Sequence, residues 1–201
     1  MGMIQAATQA AKVKAQETWS LTKKTVGMLM VWGLIFSIVT IGRLKVAFDY
    51  DDTLVFSTPA YTRAFSSGTT PFSPQFWEIV NNSYELDRRK PVPYAMAWIF
   101  RVFGFKVTIL TPRPAVGGAA LKKEWRYLAT SFIFTDGSEK KHTFLEDGNY
   151  VLYFGDSDSD ISEGRKARVP TLRVKRSPKS SYKEDYSPGG LSELVVPLSD
   201  Y

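Results

Sequence analysis

The chain of 201 residues has no cysteine, so disulfides and thiolate chemistry are excluded. That absence agrees with an oxidising compartment without establishing one. It also lacks internal repeats and a basic stripe interleaved with aromatics. The formal charge is +6, but its lysines and arginines are dispersed. Lys12, Lys14, Lys23 and Lys24 lie near the N-terminus, and Arg88 to Lys90 read as a solvated patch. A nucleic-acid polymer is therefore not the expected partner. The single histidine, His142, reads as a surface helix residue.

What is present argues for a folded domain: 44% hydrophobic and 14% aromatic residues, enough for one ordinary core. Residues 1–24 are Ala-, Gln- and Lys-rich, compatible with a helix or a mobile tail. Thr25 to Gly42 (TVGMLMVWGLIFSIVTIG) carries no charge. As a helix it would run about 27 Å, close to the roughly 30 Å of a bilayer's hydrocarbon core. Four lysines precede it, which favours the N-terminus in the cytoplasm and the domain on the periplasmic or extracytoplasmic side. The segment reads as an uncleaved membrane anchor, with a cleaved signal and a buried core helix as alternatives. Cleavage after Gly42 would start the mature chain almost inside its first strand, and this favours the anchor.

From there, apolar runs alternate with helical stretches, the pattern of an α/β fold with a mainly parallel sheet. Strands are expected at Leu44–Phe48, Phe105–Leu110, Ser131–Phe134, Tyr150–Phe154 and Thr171–Val174, with a last apolar run at Leu194–Leu198. Helices are expected from Pro59, at Phe76–Val80, Tyr94–Val102, Gly117–Leu128, Lys140–Glu146 and Ile161–Ala167. Ser66–Ser73 (SSGTTPFS) is a loop by composition.

Three of these strands run into chemically useful residues: Asp49 and Asp51, then Thr111, then Asp156, Asp158 and Asp160. Carboxylates placed directly after apolar strands are costly to bury without a cation, and a divalent metal is the obvious candidate. Lys141 lies between the second and third sets.

In this order, DxDxT, a strand-terminal Thr, a Lys and GDxxxD resemble the four motifs of the haloacid dehalogenase superfamily. The stretches FDYDDTLVFSTPAY, ILTPRP, LYFGDSDSDI and SSYK resemble those of the bacterial class B acid phosphatases, over roughly Val46 to Tyr201. The resemblance implies a Rossmannoid three-layer fold with a small helical cap insert at about 56–104. The domain would occupy 43–201, after a polar segment 1–24 and the apolar helix 25–42.

The resemblance also implies Mg²⁺-dependent hydrolysis of phosphate monoesters. Mg²⁺ would be held by the side chains of Asp49 and Asp156 and the main-chain carbonyl of Asp51. Asp49 would be the nucleophile, forming an aspartyl-phosphate, and Asp51 the proton shuttle. Thr111 and Lys141 would hold phosphoryl oxygens, with Asp160 orienting Lys141. Tyr61, Trp77 and Tyr182 match positions that present aromatics to the organic group, although aromatics there are as often core. Arg113 would touch the phosphate or leaving group, or pair with the acidic cluster. Asp158 reads as a helix-start carboxylate, Asp52 as a loop cap, and Thr53 as either a cap or a neighbour of the catalytic groups.

Two departures stand out. Class B enzymes carry a cleaved signal and a soluble preamble in place of residues 1–42. They also have Gly after the motif-two Thr, where Pro112 has no N–H for phosphate. Substrates are expected among nucleotides, lipid phosphates or other small organic phosphates, with the membrane as a partner and a homo-oligomer as an option. A binding protein that has kept the phosphatase fold is the rival reading.

Overall fold

The computed structural model describes residues 2–181 and 184–201, in two compact units, Met1–Ile41 and Gly42–Tyr201. In the first, helix α1 (Gly2–Ile41) is continuous, so the polar segment expected at 1–24 is helical rather than a tail. Its stretch Thr18–Ile41 is long and apolar enough to cross a membrane. The apolar span thus starts earlier than Thr25, and Gly42 falls outside the helix.

The second unit is built on strands β1 (Lys45–Asp49), β4 (Lys106–Thr111), β5 (Ser131–Phe134), β6 (Tyr150–Gly155), β7 (Thr171–Arg173) and β8 (Leu194–Val195). They form one sheet in the order β5-β4-β1-β6-β7-β8, and every pairing in it is parallel. A central strand of such a sheet is covered on both faces, which is why β1 reads as a nearly unbroken apolar run. Its alternation sends Val46 and Phe48 to one face and Ala47 to the other. Phe48 stacks on Phe154 with ring centroids 4.5 Å apart.

Helices α4 (Pro91–Val102) and α5 (Ala119–Glu124) supply Ala97, Leu121 and the adjoining Trp125 to the Phe48 face. Helix α6 (Lys141–Glu146) supplies Leu145 to the Ala47 face, and α7 (Asp158–Lys166) packs beside it. The result is the three-layer arrangement. The helix expected at 117–128 is confined to 119–124: Gly117 takes a left-handed φ of 68°, and Trp125 caps the helix before a turn. Helix α7 instead begins earlier than Ile161, because Ser157 and Asp160 form a capping box.

Between β1 and β4 lie α2 (Thr58–Phe65) and α3 (Pro74–Asn82), which share a small core of Tyr61, Ala64, Phe76 and Val80. A two-stranded antiparallel ladder, β2 (Val55–Phe56) with β3 (Arg88–Arg89), closes this segment. Arg88 and Arg89 are exposed as expected, but Lys90 is buried, which corrects the reading of all three as a solvated patch. Lys90 Nζ donates to the carbonyls of Asp52 and Lys175, at 2.5 Å each.

The chain leaves β1 toward β4 and β5 on one side, then returns to β6 on the other. In an open parallel sheet, such a reversal leaves a crevice at the carboxyl ends of the strands, where ligands bind.

Candidate active site

At that end the strands deliver Asp49 from β1, Thr111 from β4 and, just past β6, Asp156. All three are buried, as are Asp51 and Lys141. The chain turns sharply after β1: the Tyr50 carbonyl accepts from the N–H groups of Leu54 and Val55, and Asp52 sits at φ 53°. Aspartate tolerates this left-handed conformation better than most residues. After β6, Gly155 is required by space, since a Cβ there would lie 2.4 Å from Asp160 Cβ and Cγ.

Lys141, at the start of α6, bridges two carboxylates. Its Nζ is 2.5 Å from Asp49 Oδ1 and 2.6 Å from Asp160 Oδ1. Asp160 is also bonded by the Tyr153 hydroxyl, the Ser157 N–H and the Ser157 hydroxyl. That support, with Lys141, outweighs burial and holds its carboxyl below the usual range. Asp49 has less support: burial pushes it well above the usual range, against the pull of Lys141. Burial opposes the charge on Lys141, but Asp160 and Asp49 hold its ammonium well above the ordinary lysine value.

Asp156 accepts from Arg176 Nε at 2.6 Å and from the Thr53 hydroxyl at 3.3 Å. Burial still raises it to about 7 despite Arg176. Thr53 therefore touches the acidic cluster itself. Carboxylate oxygens of Asp49, Asp156 and Asp160 converge within 4.8 Å. This buried all-oxygen set, with two carboxyls driven upward by burial, is compatible with a divalent metal ion. Asp160 is the most engaged of the three, which leaves Asp49 and Asp156 best suited to face a cation.

Asp51 is held apart from that cluster. Arg113 grips it with two bonds, Nη2 to Oδ1 at 2.6 Å and Nε to Oδ2 at 3.0 Å. The Thr111 hydroxyl is 3.4 Å from Asp51 Oδ2. Arg113 has no exposed surface and lies over the rings of Tyr50 and Tyr61, 4.9 and 5.3 Å from their centroids. Of the two roles open to Arg113, the geometry is that of pairing with the acids. Asn81, from α3, accepts from Arg113 Nη1 at 3.4 Å and donates to the carbonyls of Pro114 and Val116.

Beside these groups opens a cavity of about 370 Å³, lined by Asp52, Tyr61, Phe65, Phe72, Trp77 and Pro112 among others. Tyr61 and Trp77 meet edge to face, 6.0 Å apart. Tyr182 lies outside the described residues. Asp158 opens α7 and is ion-paired with Arg173 at 2.8 Å. His142 is more than a surface residue: its Nδ1 is 2.6 Å from Glu163 Oε2, tying α6 to α7.

No family model matches the chain. A class B acid phosphatase of Klebsiella pneumoniae is 31% identical over 174 residues, covering 79% of this chain and 73% of that protein. The chain belongs to the class B acid phosphatases. Membership makes it a phosphomonoesterase. A class B acid phosphatase of Salmonella typhi is similar to it at 28% identity over the same shares of the two chains.

Among solved structures, CbbY from Rhodobacter sphaeroides in complex with phosphate matches with TM-score 0.56 and 10% identity, over 76% of this enzyme and 92% of that chain. A predicted phosphatase from Clostridium acetobutylicum matches with TM-score 0.52 and 13% identity, over 76% and 93%. At such identities these structures speak to the fold alone, a mainly parallel sheet covered by helices.

Sequence reasoning overlooked Lys90, Asn81, Tyr153, Arg173 and Arg176 around this site. For Arg173 and Arg176 a signal existed: cations at the end of an apolar strand (TLRVKR) need buried acids. Lys90 precedes the Pro91 that starts α4, and nothing local marks it as buried.

Proposed function

We propose that this enzyme hydrolyses phosphate monoesters with Mg²⁺, through a covalent aspartyl-phosphate on Asp49. The observation that carries this reading is the separation of Asp49, which ends β1, from Asp51 in the turn after it. Asp49 lies in the cluster with Lys141, Asp156 and Asp160, while Asp51 is fixed independently by Arg113. The side chains of Asp49 and Asp156 and the Asp51 carbonyl would hold Mg²⁺, which offsets the negative charge of the phosphoryl group when bound.

An Asp49 oxygen attacks phosphorus as the bond to the ester oxygen breaks, and Asp51 delivers a proton to that departing oxygen. Asp51 then takes a proton from the water that attacks the phosphoaspartate, releasing phosphate. The Lys141 ammonium and Thr111 hydroxyl bind phosphoryl oxygens, and Asp160 keeps Lys141 in place. Arg113 acts through its hold on Asp51, which fixes the direction in which the carboxyl faces the ester. The ester's organic group rests in the aromatic cavity of Tyr61, Phe65, Phe72 and Trp77, with Tyr182 a further contributor. A nucleotide and a lipid phosphate are both candidates for that group. Residues 18–41 hold the enzyme at a membrane as an uncleaved anchor, with the catalytic unit outside the cytoplasm.

The full chain in detergent should hydrolyse an aryl phosphate, lose that activity on chelation and regain it with Mg²⁺. Asp49→Asn should lower kcat by on the order of 10³-fold or more. Equal rates for the two proteins would sink the mechanism. Pro112 favours a second reading, a phosphate-binding protein without turnover, because it brings no N–H to the motif-two turn. Trapping a beryllofluoride adduct on Asp49 would discard that alternative.

A further inference from the structure

Because all paired strands of the sheet are parallel, everything that leads into a strand falls at one end and everything that follows falls at the other. The two ends differ in how their charges are met. The carboxyl end holds Asp49, Asp51, Asp156 and Asp160, each ion-paired with Lys141, Arg113 or Arg176, together with Asp52. The segments leading into β1, β4, β5, β6 and β7 (42–45, 101–106, 126–130, 146–149 and 167–170) bring Arg43, Lys45, Arg101, Lys106, Arg126 and Arg168. Against these they bring Glu146 and Asp147, and the segment leading into β8 adds Glu193, which is ion-paired with Arg173. Arg43, Arg101, Lys106 and Arg168 have no ion-pair partner among the described residues.

The same end exposes large apolar side chains. On the last turns of α4, Trp98, Ile99 and Val102 are 37%, 53% and 78% exposed, and Phe103 beyond the helix is 68% exposed. With exposed Ala95, their spacing is that of one helix stripe, so α4 is apolar on its outer face as well as its inner one. Tyr127, before β5, is 69% exposed and adds a further aromatic. A cluster of aromatic and aliphatic side chains ringed by unpaired cations has the composition of a surface that rests on anionic lipid headgroups. The chain enters this unit at Gly42, at the same end of β1, directly after a helix that could cross a bilayer.

We propose that this leading end of the sheet, centred on Ile99, Val102 and Phe103, docks on an anionic lipid surface. The catalytic acids then face away from the bilayer. The proposal rests on the reading of residues 18–41 as a membrane anchor, and it sharpens the substrate. Asp49 stands about 13 Å along β1 from Lys45, so water-soluble phosphate esters reach the site without entering the headgroups.

The absence of native cysteine makes the test direct. Full-length Val102→Cys and Thr70→Cys variants, each carrying one environment-sensitive fluorophore, are reconstituted into vesicles containing brominated phosphatidylcholine, with or without phosphatidylglycerol. Thr70 is exposed in the loop beside Phe72 of the cavity. The expected result is a loss of fluorescence at position 102 and none at position 70, larger with phosphatidylglycerol. Adding Arg101→Glu and Lys106→Glu should reduce the loss.

Flotation separates the failures. If the chain floats with the vesicles but position 102 is not quenched, the docking surface is overturned and the anchor stands. If the chain does not float at all, the anchor reading falls and the proposal with it. Quenching at position 70, quenching indifferent to phosphatidylglycerol, or disulfide-linked dimers of unlabelled Val102→Cys in detergent would each overturn the proposal. The last result would assign the patch to a second copy of the chain.

Discussion

Arg113 and Lys141 are both buried cations among carboxylates, and their partners separate their roles. Lys141 is shared between Asp49 and Asp160, whereas Arg113 closes a two-bond fork on Asp51 and has Asp87 only at 3.8 Å. A lysine cannot reproduce that fork. Arg113→Lys should therefore lower kcat more than it changes KM, measured on an aryl phosphate. Arg113→Ala strands a buried carboxylate and should cost about 3–5 kcal/mol in chemical denaturation. Lys90 fastens the Asp52 turn to the stretch after β7 through two carbonyls. Lys90→Met leaves the buried Asp52 carbonyl unpaired, at roughly 1–3 kcal/mol, releases the part-buried Lys175 carbonyl, and should lower kcat as the turn loosens.

At the level of elements, β1, β4 and β6 owe their positions to apolar runs buried on both faces, and each ends where a polar side chain is needed. Helix α7 shows how a cap serves the site as well as the helix. Ser157 accepts from the Asp160 N–H, while the Asp160 carboxylate accepts from the Ser157 N–H and hydroxyl and also holds Lys141. Ser157→Ala should cost about 1 kcal/mol of stability. It should also raise KM for phosphate esters, because Asp160 loses one of the groups that fix it. Unchanged kinetics at the lower stability would show that the cap serves the helix alone.

For the whole molecule, the buried acids make stability depend on pH in an unusual direction. Burial raises Asp87 from its ordinary 3.8 to about 7, with Arg113 and the Tyr50 hydroxyl pulling less strongly the other way. Between those values the folded state binds the proton that the unfolded chain has released. This contribution to stability is therefore full below 3.8 and is lost as pH rises through about 7. Asp87→Asn should flatten that fall, by on the order of 3 kcal/mol between pH 4 and 7, in denaturant midpoints measured across the range. A slope identical to that of the wild type would remove Asp87 as its source. The gathering of Arg43, Arg101, Lys106 and Arg168 at the leading end of the sheet also belongs to this scale. It follows from strand direction, since parallel pairing gathers residues from distant parts of the chain onto one rim.

The sequence by itself determined the strands that form the sheet and the order of Asp49, Asp51, Thr111, Lys141 and Asp156 along it. Buried parallel strands need continuous apolar runs, and charged residues directly after such runs are conspicuous because burial makes them costly. It also marked the apolar helix, through a long absence of charge. Partners were decided only by the tertiary structure. Arg113 joins Asp51 across 62 positions and Lys90 reaches Asp52 across 38, and no local pattern encodes such distances. Arg113 could equally have faced a ligand, and Lys90 sits beside two arginines that remain in solvent. Which cation is drawn inward depends on where the folded sheet leaves a carboxylate or carbonyl unpaired, and that vacancy exists only once β1, β4 and β6 are side by side.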